Sequence, residues 1–134
     1  MFSTLILAIA IVALSQFALY YWRAVVAGVA AEPLSDRVLA AARVEDGRLS
    51  PGHFETLAGL HDLTPALHPS STGLGLVRLY FRLVEGLDTL VGGQVPAIAA
   101  WSEREGILCV RYAAVQVDRR LQANHDLVAS VRSC

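Results

Sequence analysis

An uncharged apolar run near the N-terminus constrains this chain more than any other feature. It extends from Phe2 through Trp22, covers 21 residues, and its polar members are limited to hydroxyl side chains, a single glutamine and the ring of Trp22. A helix of that length spans about 30 Å, which is the thickness of the hydrocarbon core of a bilayer. The sequence therefore predicts one transmembrane helix, with the lipid bilayer as the first partner of the chain.

The end of this run has the composition of a membrane–water interface. The residues there suit the headgroup layer, with amphipathic rings and a cation: Tyr20, Tyr21, Trp22 and Arg23. The segment Ala24–Ala31 is again apolar, so the helix is expected to continue as a short stalk of about two turns before Pro33. We therefore predict an anchor and stalk at residues 1–31 and one helical domain at residues 32–134.

A cleavable signal peptide is the competing interpretation of the same segment. Val29-Ala30-Ala31 offers small residues for cleavage before Glu32. Against cleavage, no basic residue opens the run, and the run is longer than the ~7 to 15 apolar residues of a signal peptide. The anchor is favoured, and an exported helical protein is the alternative.

The position of the cations predicts the orientation in the membrane. Arg23 and Arg37 follow the run and no basic residue precedes it. Since basic residues near a span resist export, the N-terminus is expected outside and the domain in the cytoplasm. In that compartment Cys109 and Cys134 would stay reduced.

Charge and cysteine content argue against several classes of function. All eleven basic residues are arginine, but they are scattered among twelve acids and the net charge is −1. No run is basic enough for the patch that nucleic-acid binding requires, so nucleic acid is not an expected partner. Cys109 and Cys134 show neither CxxC nor a Cys/His ligand spacing, which predicts free thiols.

Three helices are predicted between Pro33 and the last third of the chain. The first begins after Ser35 as N-cap and runs toward Gly47. The second begins at Ser50-Pro51 and ends near Leu63, and the third covers 74–91 and stops at Gly92-Gly93. The stretch 64–73 is dense in turn formers and is predicted to be a linker or contact loop.

The last segment, about 96–132, has the most informative pattern. It is predicted to be one long helix with four heptads of core-facing positions. Those positions form a seam: Ile107, Val110, Ala114, Val117, Leu121, Asn124, Val128 and Val131. A second apolar row at Leu108, Tyr112 and Val115 makes the surface wider than a two-stranded coiled coil needs, which favours a helical bundle. The seam is either internal core or a partner contact.

The sequence contains no complete motif for catalysis, metal binding or cofactor binding. The four histidines lie outside HExxH and Cys/His spacings, and a metal held by His61, Asp62 and His68 is a minor alternative. Glu103 and Glu105 are interpreted as a solvated flank, and no cofactor is predicted.

The fold class predicted is therefore all-α, with a transmembrane helix followed by a small bundle. The favoured function is an interaction protein, an accessory or scaffold subunit that contacts other subunits of a membrane complex. The alternative from another class is a membrane-tethered enzyme or small-ligand binder that uses the loop at 61–75. Sequence alone does not distinguish them.

Overall fold

The computed structural model describes residues 1–44, 48–65 and 72–134, which together form an all-α fold. The elements in these ranges are α1 (Phe2–Ala30), α2 (Asp36–Ala41), a 3-10 turn (Pro51–His53), α3 (Phe54–Leu63), α4 (Thr72–Leu87), a π-helical turn (Asp88–Gly92) and α5 (Pro96–Arg132). The predicted architecture is confirmed: a long apolar N-terminal helix precedes a helical bundle with a long C-terminal helix.

The first two thirds of α1 stand clear of the bundle. Every residue from Phe2 to Tyr21 is exposed, and the most apolar 18-residue window has a mean hydropathy of 2.2 with none of it buried. A helix of this length and composition can cross a membrane, although a signal sequence has the same two properties. The exposed apolar surface has no counterpart in the helices of a water-soluble domain, where one stripe is buried.

The last two turns of α1 pack against the bundle. Val26 and Ala30 are buried, and Trp22 and Val29 lie partly buried against the same core. The segment predicted as a stalk thus contributes side chains to the hydrophobic core, mainly through contacts with α5.

Helix α5 occupies the centre of the bundle and contacts α1, α2, α3 and α4. The aromatic rings of Phe54 and Phe81 stack beside it, with centroids 4.2 Å apart and an interplanar angle of 19°. Gly106 on α5 allows the 3-10 turn to approach, because a Cβ there would lie 3.0 Å from Cγ of Pro51. The core is therefore organised around one helix that is surrounded on several sides.

Helix α2 is shorter than predicted. It begins after Ser35 as expected, but it ends at Ala41, and Gly47, the predicted stop, lies outside the described residues. Arg43 adopts a left-handed conformation (φ 55°), while the N–H of Val44 bonds to the carbonyl of Leu39. This is the Schellman arrangement that ends helices, here with arginine in the place that glycine usually takes.

Helices α3 and α4 follow the prediction closely. The chain turns at Pro51 and continues as α3 to Leu63, and the N–H of Ser50 donates to Nδ1 of His53 at 3.1 Å. Helix α4 begins two residues earlier than predicted, at Thr72, and its π-helical extension ends at Gly92. Most of the turn-rich stretch 64–73 lies outside the described residues.

Helix α5 has the predicted bounds, and its 37 residues span about 55 Å. Along the seam, Val110, Ala114 and Val117 are buried; Ile107, Leu121 and Asn124 are partly buried; Val128 and Val131 are exposed. The chain itself thus covers the seam up to about Leu121. Beyond that point the apolar positions of the seam continue without cover from the described residues.

Two aspartate substitutions on the same seam test this difference. Val117 is 1% exposed, whereas Val128 is 55% exposed. We expect Val117→Asp to lower the free energy of unfolding by about 3 kcal/mol or more, because an unpaired carboxylate would lie in an apolar core. Val128→Asp, the matched control, is expected to cost less than about 0.5 kcal/mol. Denaturant unfolding of the full chain in mild detergent measures both, and equal effects would contradict the boundary near Leu121.

Candidate functional site

A buried carboxylate joins three helices on the side of the bundle where α1 leaves it. Glu105 of α5 is 2% exposed and accepts a hydrogen bond and ion pair from Nη2 of Arg23 on α1. Its second oxygen accepts a hydrogen bond from the hydroxyl of Tyr80 on α4, at 2.8 Å. We call these three residues the Glu105 network.

The network fastens α1 to the bundle. A carboxylate taken out of water loses hydration worth several kcal/mol, which only a nearby cation and hydrogen-bond donors can offset. Arg23 supplies the cation and stays half exposed, so its guanidinium also keeps part of its own hydration. Displacing α1 would leave Glu105 charged in the interior without its counterion.

Two ionisable groups near Glu105, a phenol and a thiol, are held in their neutral forms. Burial, together with the hydrogen bond to Glu105, raises the pKa of Tyr80, so the phenol remains a donor. Burial and the charge of Glu105 raise the pKa of the Cys109 thiol to about 12. Because the thiolate is the reactive form of cysteine, Cys109 is not an activated nucleophile. The network therefore has the properties of a structural contact between helices.

One of these positions corrects the sequence interpretation. Glu105 was predicted to be a solvated flank and is buried, whereas Glu103 is exposed as expected. The sequence signal for Glu105 is its spacing from Cys109 and Tyr112, four and seven residues on, along a buried face of the helix. Arg23, predicted to lie in the headgroup layer, turns its side chain toward this carboxylate.

The other predicted interface residues divide between two surroundings. Tyr20 and Tyr21 are largely exposed, whereas Trp22 is partly buried against the core. An open groove of about 740 Å³ begins here, between α1 and the bundle. Its lining includes Leu19, Tyr20, Ala24, Tyr80, Trp101 and Leu108.

A second set of contacts holds the end of α1 and the following turn to α5. Arg119 donates to both carboxylate oxygens of Glu32, an exposed pair. The hydroxyl of Ser35 donates to the buried carboxylate of Asp118 at 2.5 Å. Ser35 was predicted to cap α2; it stands at the N-cap position, but its hydroxyl binds Asp118. The chain is thus joined to α5 at two levels.

A third polar cluster closes the end of α3. Nη1 of Arg120 donates to the carbonyls of His61 at 2.6 Å and Thr64 at 3.0 Å, so a guanidinium of α5 caps the C-terminus of α3. Burial and the neighbouring Arg120 lower the pKa of His61, which keeps the imidazole neutral at pH 7. Its Nδ1 lies 3.6 Å from the carboxylate of Asp62, beyond hydrogen-bond distance, and that carboxylate binds Arg78 at 2.9 Å.

The arrangement around His61 does not form a metal site within the described residues. No group of three His, Cys, Asp or Glu side chains in residues 1–44, 48–65 and 72–134 is placed to hold a metal ion. His68, the third ligand of the minor metal alternative, lies outside these ranges.

The described part of the bundle has two rows of exposed apolar side chains. One is on α5 beyond Leu121, where large apolar side chains face solvent: Leu127, Val128 and Val131. The other is the leucine stripe of α4 and its π-helical extension, whose members recur every three or four residues on one arc: Leu76, Leu79, Leu83, Leu87 and Leu90. Apolar rows of this kind are typical of contact surfaces.

The Glu105 network provides a direct test of how α1 is held. We expect Arg23→Met to lower the free energy of unfolding by about 2 kcal/mol, because Glu105 would stay charged in the interior. Solvent screening of the half-exposed guanidinium keeps the effect below the ~3 to 5 kcal/mol of a fully buried pair. Adding Glu105→Met removes the stranded charge, so the double variant should be more stable than Arg23→Met alone. Denaturant unfolding in mild detergent measures the cycle.

The exposed pair between Glu32 and Arg119 is the control for this cycle. Arg119→Met is expected to cost at most about 1 kcal/mol, because both partners are solvated. An equal loss for Arg23→Met and Arg119→Met, with no recovery in the double variant, would show that Glu105 does not depend on Arg23.

No protein-family model, curated protein or solved structure matches this chain. The functional conclusion therefore rests on the exposed apolar surfaces and on the polar contacts that hold α1 and α5 together.

Proposed function

We propose that this chain is a single-pass, membrane-anchored interaction protein, an accessory or scaffold subunit of a membrane complex. The part of α5 that extends past the bundle carries this proposal. In this function α1 fixes the chain in the bilayer, the bundle holds α5 at a set angle to it, and the free end of α5 binds another subunit.

The free end of α5 has the pattern of a helix that meets a partner. All residues from 125 to 134 are exposed. Val128 and Val131 continue the seam that is core further up the helix, and Leu127 lies beside them. Asp126 and Ser133 lie on the opposite face, so the exposed end is amphipathic. An amphipathic helix of this kind binds by laying its apolar face into a groove or against another helix.

The packing of α1 supports an anchor that is retained. Cleavage before Glu32 would remove Val26 and Ala30 from the core and leave Glu105 without Arg23. A signal peptide is discarded by the folded protein, so it does not ordinarily supply core side chains. The structural role of 22–30 therefore favours the membrane anchor over the exported alternative.

The cations near the apolar run support a cytoplasmic domain. Arg23 and Arg37 follow the run closely, and Arg43 and Arg48 lie further along. Arginines within about 15 to 20 residues of a span favour the cytoplasmic side.

A charge placed on the apolar face of the free end tests the proposed partner contact. We expect Val128→Asp/Val131→Asp to fold as the parent does, because both positions are exposed, but to lose the larger assembly. Size-exclusion chromatography of membranes solubilised in mild detergent, with identification of co-eluting proteins, measures the assembly.

Ala129→Asp is the matched control, since it adds the same charge to the opposite, exposed face of the same turn. It should leave the assembly intact. The proposal is wrong if the parent chain elutes alone, as a 14.4 kDa protein in its detergent micelle.

The orientation is tested through Cys134. This thiol is exposed, whereas Cys109 is buried with a pKa raised to about 12, so a thiol reagent reports on Cys134 alone. We expect a membrane-impermeant maleimide to label Cys134 only after cells are lysed. Labelling of intact cells would reverse the orientation, and Cys134→Ser provides the unlabelled control.

A further inference from the structure

Helices α1 and α5 run in the same direction. Arg23 of α1 pairs with Glu105, and Glu32, nine residues later, pairs with Arg119, which is fourteen residues later on α5. The start of α5 therefore points toward the same end of the molecule as the apolar run of α1. Trp101 confirms this direction, since it lines one groove together with Leu19 of α1.

Helix α4 runs in the opposite direction to α5. Gly73 lies against the phenol of Tyr112, and Tyr80, seven residues later, bonds to Glu105. The end of α4, the π-helical turn and the start of α5 thus form a helical hairpin tip, residues 87–98. This hairpin tip lies beyond the Glu105 network on the side where α1 leaves the bundle.

The length of the hairpin sets how far it reaches along α1. Pro96 is nine residues beyond Glu105, or about 13 Å along the helix axis. Glu105 lies at the level of Arg23, the first charge after the apolar run. The headgroup layer of one leaflet is roughly 5 to 7 Å thick. If α1 crosses a bilayer with Arg23 at its surface, the hairpin tip reaches through that layer to the acyl chains.

The composition of the hairpin tip suits that depth. The sixteen residues from Leu87 to Ser102 include one charged residue, Asp88. Leu90 is 78% exposed, and Leu87 and Val95 are also exposed, so the apolar side chains point outward. A loop between helices in a water-soluble domain normally carries polar residues at such positions.

Aromatic rings and cations lie close to the level of Arg23 along the helix axes. Trp101 and Tyr20 line the same groove, so two elements contribute aromatic rings to this end of the bundle, as in the aromatic belts of membrane proteins. Arg104 precedes Glu105, and Arg82 lies two residues beyond Tyr80, so both are within one turn of the Arg23 level. Cations just outside a ring layer suit lipid phosphates.

The acidic residues at the end of α4 and in the hairpin tip face away from the exposed leucines. Glu85 and Asp88 line an open cavity with Pro51 and Glu103, and the described residues of α1 do not contribute to its lining. Water in that cavity can solvate both carboxylates while the leucines face lipid. The hairpin is thus apolar on one side and charged on the other, as interfacial helices are.

We infer that the hairpin tip at 87–98 inserts into the surface of the same bilayer that α1 spans, with Leu87, Leu90 and Val95 in contact with lipid. The inference rests on the proposed transmembrane role of α1. The bundle is then held to the membrane at two points, which fixes its tilt, whereas a single helix would let it swing. The membrane-distal leucines, Leu76 and Leu79, lie at or below the Arg23 level and stay outside the lipid.

Spin labels at single cysteines test this geometry in the full chain. Leu90→Cys in a Cys134→Ser background is labelled with a nitroxide and placed in phosphatidylcholine nanodiscs, and Cys109 is too buried to react. Collisions with oxygen, which concentrates in lipid, are compared with collisions with a water-soluble nickel chelate. We expect the oxygen-to-nickel ratio at Leu90→Cys to rise several-fold above that at Leu76→Cys, toward the ratio at Ile11→Cys in the middle of α1.

Labels at Ile11, Leu76 and Leu90 distinguish failure of the hairpin insertion from failure of the membrane anchor. A lipid signal at Ile11→Cys with a water signal at Leu90→Cys would overturn the hairpin insertion and leave the anchor standing. Water signals at both would overturn the anchor as well. Low collision rates with both reagents at Leu90→Cys would mean that protein covers the tip, which also contradicts insertion. Native Cys134, labelled in the parent chain, supplies the water reference.

Discussion

The carboxylate of Glu105 lies in the interior of the bundle, where an ionised group requires a cation and hydrogen-bond donors in place of its hydration shell. Arg23 and Tyr80 meet that requirement from two other helices. The three elements are therefore held in one register, since shifting α1 by a single turn would separate the charges by about 5 Å. The direction in which α1 leaves the bundle depends on this arrangement.

The register explains why a small bundle can have so long a central helix. A domain of about 100 residues leaves roughly a third of its unfolded surface exposed after folding, so each further element that packs on it adds noticeably to its core. Here α1 adds Val26 and Ala30 to the core and covers one side of α5. The end of α1 and the bundle are thus one folding unit in the region 22–30. The same two turns continue the apolar helix and form a wall of the bundle.

Much of the fold could be predicted because helices have periodic sequences. The apolar run, the prolines at 51 and 96 and the heptads of α5 placed most helix bounds within two residues. The packing of 24–31 was not predictable, since an apolar, uncharged segment suits lipid and protein core equally. Glu105 was missed because a carboxylate is normally solvated, and only its pairing with a cation 82 residues away allows burial. Arg43 ended α2 without the glycine that signals such a stop.

The two ends of α5 lie in different surroundings, and this follows from where its partners end. Near Trp101 the helix is flanked by α1 and α4, and its start lies toward the apolar run. By Val128 the described elements have ended, yet the apolar spacing of the seam persists. Apolar residues that continue the seam beyond the core are exposed, and an exposed apolar row lowers solubility unless another surface covers it. Selection for the isolated domain alone would therefore favour polar residues at these positions. The continued seam, about 40 Å along the helix from Trp101, is therefore the part of the chain most readily explained by a partner.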